Sequence, residues 1–60
     1  MESYVLTNGF VVISFAVSTA TEVHIIVADN GGVISSRFAG KEEARVIWIN
    51  WCDHGYKRIQ

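Results

Sequence analysis

The sequence predicts an α+β domain: a four-stranded antiparallel β-meander, then one C-terminal helix packed on one face, in the order ββββα. Three observations predict it. Gly40 to Gly55 carries one apolar stripe at helical spacing, with both ends marked. The residues before it fall into short β-branched and aromatic runs. Those runs are separated by turn-forming clusters, and proline is absent. The 60 residues suffice for one domain, spanning 1–60.

Tyr4-Val5-Leu6-Thr7 and Phe10-Val11-Val12-Ile13 flank Asn8-Gly9. That dipeptide predicts a hairpin with a type I′ turn, which needs positive φ at both central residues. The second strand runs to about Val17 and is apolar on both faces. Val11, Ile13, Phe15 and Val17 share one face; Phe10, Val12, Ser14 and Ala16 share the other. Ser18-Thr19-Ala20-Thr21 reads as a turn. A third strand covers Glu22 to Ala28, with Val23, Ile25 and Val27 on its apolar face. Asp29-Asn30-Gly31-Gly32 is a second strong turn. The fourth strand, Val33 to Phe38, places Ile34, Ser36 and Phe38 on one face and Val33, Ser35 and Arg37 on the other.

From Ala44, residues Ile47, Trp48, Trp51 and Cys52 follow at i+3, i+4, i+7 and i+8 and define a single stripe. Gly40 fits the N-cap. Glu42 and Glu43 lie in the first turn, where the helix dipole favours negative charge. Glu42 and Arg45 are spaced to pair. Gly55 fits the left-handed C′ position, which makes Tyr56 the C″ residue and Trp51 the C3 residue. A Schellman motif brings those two side chains together. Tyr56–Ile59 is left open between a short fifth strand and a tail.

A chain this short buries only about 60% of the surface its unfolded form exposes. Small scaffolds meet the entropic cost of folding with disulfides, a metal, self-association or dense packing. Cys52 is the one cysteine, so no internal disulfide can form. A lone thiol on the apolar side of a helix suits a reducing compartment. The expected location is cytoplasmic: Met1 and Glu2 give no positive n-region, and the apolar run Phe10–Val17 is too short to span a bilayer. The formal net charge of −1 opposes a dedicated nucleic-acid binder.

No motif carries chemistry. Cys52 and His54 lie two residues apart, about 200° around a helix, and with His24 they fall short of four tetrahedral zinc ligands. A thiol at a helix C-terminus is deactivated by the dipole, so Cys52 reads as a small hydrophobe. A chain of this size leaves little room for a pocket of the usual ~300 Å³ or more. The Asp29–Gly32 cluster lacks the spacing of a phosphate loop. Neither enzyme, metal nor cofactor is expected.

What remains is an apolar surplus. A helix of ~14 residues is about 21 Å long and covers one face of a four-stranded sheet. Phe10, Val12 and Ile26 are left on the second face, and Val46 and Ile49 flank the helix stripe. These five are the expected interface of a non-enzymatic, self-associating protein, most simply a homodimer. Its action would be to bind a partner protein, as a regulator, inhibitor or mobile-element accessory factor does.

The alternative is single-strand nucleic-acid binding. The ββββα order resembles small single-stranded nucleic-acid-binding folds of the Whirly type and related transcription cofactors. That resemblance implies an oligomer using a sheet face with basic and aromatic residues. On this reading, Arg37, Lys57 and Arg58 would meet phosphates, with Tyr56 or Phe10 as a stacking platform.

Overall fold

In the computed structural model, residues 2–60 are described. The elements are β1 (Ser3–Thr7), β2 (Val12–Val17), β3 (Glu22–Asp29), β4 (Gly32–Gly40), α1 (Lys41–Asp53) and β5 (Lys57–Arg58). The first four strands form the predicted antiparallel meander, and α1 follows it. The sheet order is β4-β3-β2-β1-β5. The chain therefore leaves the sheet at one edge, crosses it as α1, and rejoins it at the other edge. The segment left open in the sequence, Tyr56–Ile59, contains the short strand β5, where Arg58 pairs with Leu6 and Lys57 with Thr7.

The first turn is not the predicted type I′. Gly9 has φ of 98°, but among the described residues no non-glycine residue has positive φ, so Asn8 does not adopt the left-handed conformation. Asn8 works through its side chain. Its Oδ1 accepts from the backbone N–H groups of Phe10 (2.9 Å) and Val11 (2.8 Å). This lengthens the connection to Asn8–Val11 and moves Phe10 out of the second strand into the loop, where it is 76% exposed. Thr19 does a similar job in the next turn: its Oγ1 accepts from Thr21 (3.2 Å) and Glu22 (3.1 Å). Asp29 Oδ1 closes the third by accepting from Gly31 N–H at 2.8 Å.

The helix ends as its sequence predicts. Tyr56 N–H donates to the Trp51 carbonyl (3.2 Å) and Gly55 N–H to the Cys52 carbonyl (3.1 Å). With Gly55 at φ 92°, this is the paired bonding of a Schellman motif. The Trp51 and Tyr56 rings meet edge to face, with centroids 4.9 Å apart. At the other end Gly40 offers no side-chain cap. The Lys41 N–H instead donates to the Thr21 carbonyl at 3.2 Å, which ties the start of α1 to the β2–β3 turn.

The core lies between α1 and the sheet. Leu6, Ile13, Phe15, Val23, Ile25, Ala39 and Ala44 are its buried residues. Ala44 is the only buried helix residue among those described, because a methyl group lets the helix approach the sheet closely. Trp48 then spreads over Phe15 (centroids 5.1 Å apart) and Tyr4 (6.2 Å), both edge to face. Such pairs contribute about 0.5–1.5 kcal/mol each beyond area burial. Cys52, predicted on the same stripe, is exposed. At i+8 from Ala44 it has rotated about 80° away from the core axis, and Trp51 is the last residue of the stripe to reach the sheet.

Among the described residues no helix is long and apolar enough to cross a membrane.

Candidate functional site

Ladder partners share a face of the sheet, so the register sorts its side chains. Under α1 run three rows: Leu6, Ile13, Val27 and Ser35; then Tyr4, Phe15, Ile25 and Arg37; then Val17, Val23 and Ala39. The opposite, open face also has three rows. These are Thr7, Val12, Ala28 and Val33; then Val5, Ser14, Ile26 and Ser36; then Ser3, Ala16, His24 and Phe38. From β1 to β4 no Asp, Glu, Lys or Arg stands in those open-face rows; Lys57 on β5 extends the first row beyond Thr7. Glu22 borders the face at the start of β3.

β4 is inverted. A strand with one face on a core turns its apolar residues inward. Here the side of β4 under the helix carries Ser35 and Arg37, and only Ala39 at its end joins the core. Its open side carries Val33, Ile34 and Phe38, which are 66%, 59% and 56% exposed. A bulge produces part of this. The register slips between Val27 and Ala28, so that Val27 pairs with Ser35 but Ala28 pairs with Val33. Val33 therefore joins the open face, not the Ser35–Arg37 face its alternation predicts. Ile34, the extra residue, has the parity of Ser36 and Phe38.

His24 stands among these apolar groups. Its ring stacks on Phe38 with centroids 4.5 Å apart and planes 14° from parallel. Its Nε2 and the Ser36 Oγ lie 2.7 Å apart in a hydrogen bond. A half-buried imidazole is thus held flat against the open surface.

The expected interface residues divide between two sides of the molecule. Val12 and Ile26 lie on the open face, with Phe10 at its rim in the β1–β2 loop. Val46 and Ile49, 58% and 51% exposed, lie on the outward side of α1, away from the sheet. They do not form one patch with the other three. Sequence reasoning missed Val33, His24 and Phe38 as open-face partners. Phe38 was legible in the alternation of the fourth strand; the shift of Val33 was not, because a bulge has no residue signature there.

The basic residues are also dispersed. Arg37 is on β4, at one edge of the sheet, while Lys57 and Arg58 are on β5 at the other. Four strand spacings, about 19 Å, separate those edges. Arg37 and Arg58 lie on the helix side and Lys57 on the open side. The Arg58 guanidinium carbon sits 5.0 Å from the Tyr4 ring centre. Tyr56 is half-buried against Trp51. Arg37 contacts Glu43 at 3.5 Å, so the acidic first turn finds its cation on the sheet and not at Arg45.

A cleft of about 490 Å³ opens between α1 and the β3–β4 hairpin, larger than the chain length suggests. It exists because Ser35 and Arg37 stand where bulky apolar residues would seal helix to sheet. Ile25, Val27, Ile47 and Trp51 line it, with Asn50 and His54 at its rim. His54 Nδ1 is 2.7 Å from the Asn50 carbonyl oxygen, an intrahelical bond that caps the last turn. Among the described residues no three His, Cys, Asp or Glu side chains gather closely enough to hold a metal ion. Cys52 and His54 do not share a site with His24, which is on the far face of the sheet.

No family model matches the chain, and no curated protein or solved structure matches it.

Proposed function

We propose that this is a non-enzymatic, self-associating protein, that two copies pack through their open sheet faces, and that the dimer acts by binding a partner protein. One observation carries the reading: β4 turns Val33, Ile34 and Phe38 to the open face and Ser35 and Arg37 to the core side. Side chains arranged this way fit a strand whose apolar side is covered by a second layer.

Three points favour a second copy as that layer. From β1 to β4 the three rows carry no charge, and Lys57 stands at the β5 edge, so two identical faces can meet there without repulsion, in the isologous manner of a two-fold dimer. Its area falls in the range of small, weak interfaces. Five strands by six residues measure about 19 by 20 Å, so two faces cover on the order of 800 Å² in projection. Pleating and the rim residues Phe10 and Ile59 bring this towards the ~1,200 Å² of the smaller stable interfaces. Finally, the core of one chain is small: seven buried side chains among the described residues. Oligomerisation is a usual remedy at this length. Stacked sheets about 10 Å apart would add a second core.

In such a dimer the outward side of α1 remains free on both flanks. Val46 and Ile49 there are the groups available to a partner protein with an apolar groove. Sedimentation equilibrium over 10 µM to 1 mM tests the self-association. A mass of two chains is expected, and a mass of one chain throughout the range refutes it. A Val46→Asp/Ile49→Asp variant that keeps the dimer but loses the partner captured by the wild type separates the two surfaces.

A further inference from the structure

We propose that association through the open face is proton-linked: His24 must be neutral for two copies to dock, so acidification releases the dimer. The inference rests on the face-to-face reading above and assigns its regulation.

His24 is a titratable side chain inside the three open-face rows, and it is held in place on two sides. Phe38 lies flat beneath it at 4.5 Å and Ser36 Oγ bonds its Nε2 at 2.7 Å. It cannot readily swing out to the rim without giving up both contacts. Its ladder partners offer no counter-charge. On β2 the ladder partner is Ala16, flanked by Ser14 on the same face. On β4 the neighbours are Phe38 and Ser36. On β3 itself the same face carries Ile26 on one side and Glu22 on the other. Glu22 borders the face at the exposed start of the strand, where water screens it. Lys57 is three strands away, and Arg37 and Glu43 are on the helix side.

A covering sheet removes water from the imidazole and supplies more apolar surface. That disfavours the charged form and leaves the neutral form its bond to Ser36. By linkage the separated chains bind more protons than the dimer, so association is strongest when both rings are neutral and weakens as the pH falls. Each dimer covers two such rings. Protonation of either ring opposes docking, so the two rings act together to raise the dissociation constant on acidification.

The test is sedimentation equilibrium at pH 7.5 and 5.5, with far-UV circular dichroism on the same samples. Wild type and His54→Gln are expected to show a dissociation constant raised by about tenfold or more at pH 5.5, with unchanged secondary structure. His24→Gln is expected to show the same dissociation constant at both pH values; His24→Phe serves equally if the amide is not tolerated. A wild-type constant that is flat with pH overturns the proton linkage and leaves the dimer standing. A pH response that survives in both His24 variants, or that coincides with loss of secondary structure, also overturns it. A mass of one chain at both pH values and up to 1 mM refutes the face-to-face dimer itself.

Discussion

Phe38 gives the most direct measure of whether the open face is covered. Complete burial of a Phe side chain is worth about 1.5–3 kcal/mol. In the single chain Phe38 is 56% exposed, so a covering sheet would remove the remaining half from water. That is roughly 1 kcal/mol per copy and about 2 kcal/mol per two-fold dimer. Phe38→Ala is therefore expected to weaken the dimer about 30-fold. The stability of the dilute, dissociated chain should change far less, by about 1 kcal/mol or under, since Phe38 there touches mainly the His24 ring. Sedimentation equilibrium reads the first quantity and urea unfolding at low micromolar concentration reads the second. A dissociation constant within twofold of wild type would refute the assignment of this face. So would an equal loss in both measurements, which would make Phe38 part of the chain's own core.

Other outcomes test the fold. Gly55→Ala should destabilise by about 1–2 kcal/mol in urea unfolding, through its φ of 92° alone, because a Cβ there would meet nothing within 4 Å. Gly40→Ser should stabilise by only a few tenths of a kcal/mol in the same assay, because glycine is itself a tolerable N-cap. Gly40 has the extended backbone of an N-cap (φ −66°, ψ 160°) and no capping side chain. Cys52 should react with a disulfide-exchange reagent in the folded state, without prior unfolding, since it is exposed. A fluorescent oligonucleotide at low salt should show no binding, because the basic residues occupy both edges and both faces of the sheet.

The strands and the helix C-terminus were legible because local chemistry decides them. Gly55, Tyr56 and Trp51 fix the Schellman bonding within six residues, and tertiary packing has little to add. The alternation of Ile13 with Phe15, and of Val23 with Ile25, likewise names the core side of β2 and β3. The misses have a common cause. Asn8 can reach a hairpin either through a left-handed backbone or through its side-chain oxygen, and the dipeptide Asn8-Gly9 allows both. The bulge opposite Ala28 depends on how β4 settles against β3, which no single residue announces. Cys52 missed the core because the helix axis is set by the contact of Ala44 with the sheet, several turns away. The cleft was missed because Ser35 and Arg37 look like ordinary alternation until the bulge shows which side they occupy.

The two borders of the sheet are unequal. β4 presents nine residues of free backbone along one rim, whereas β5 presents two along the other. Adding chains strand to strand requires a template at each rim, one to give and one to receive. This molecule has a single rim long enough for the purpose. Two molecules could join rim to rim there, but a third would find no long strand left. An endless ribbon is thus blocked by topology, without the prolines that many sheet proteins place along such borders.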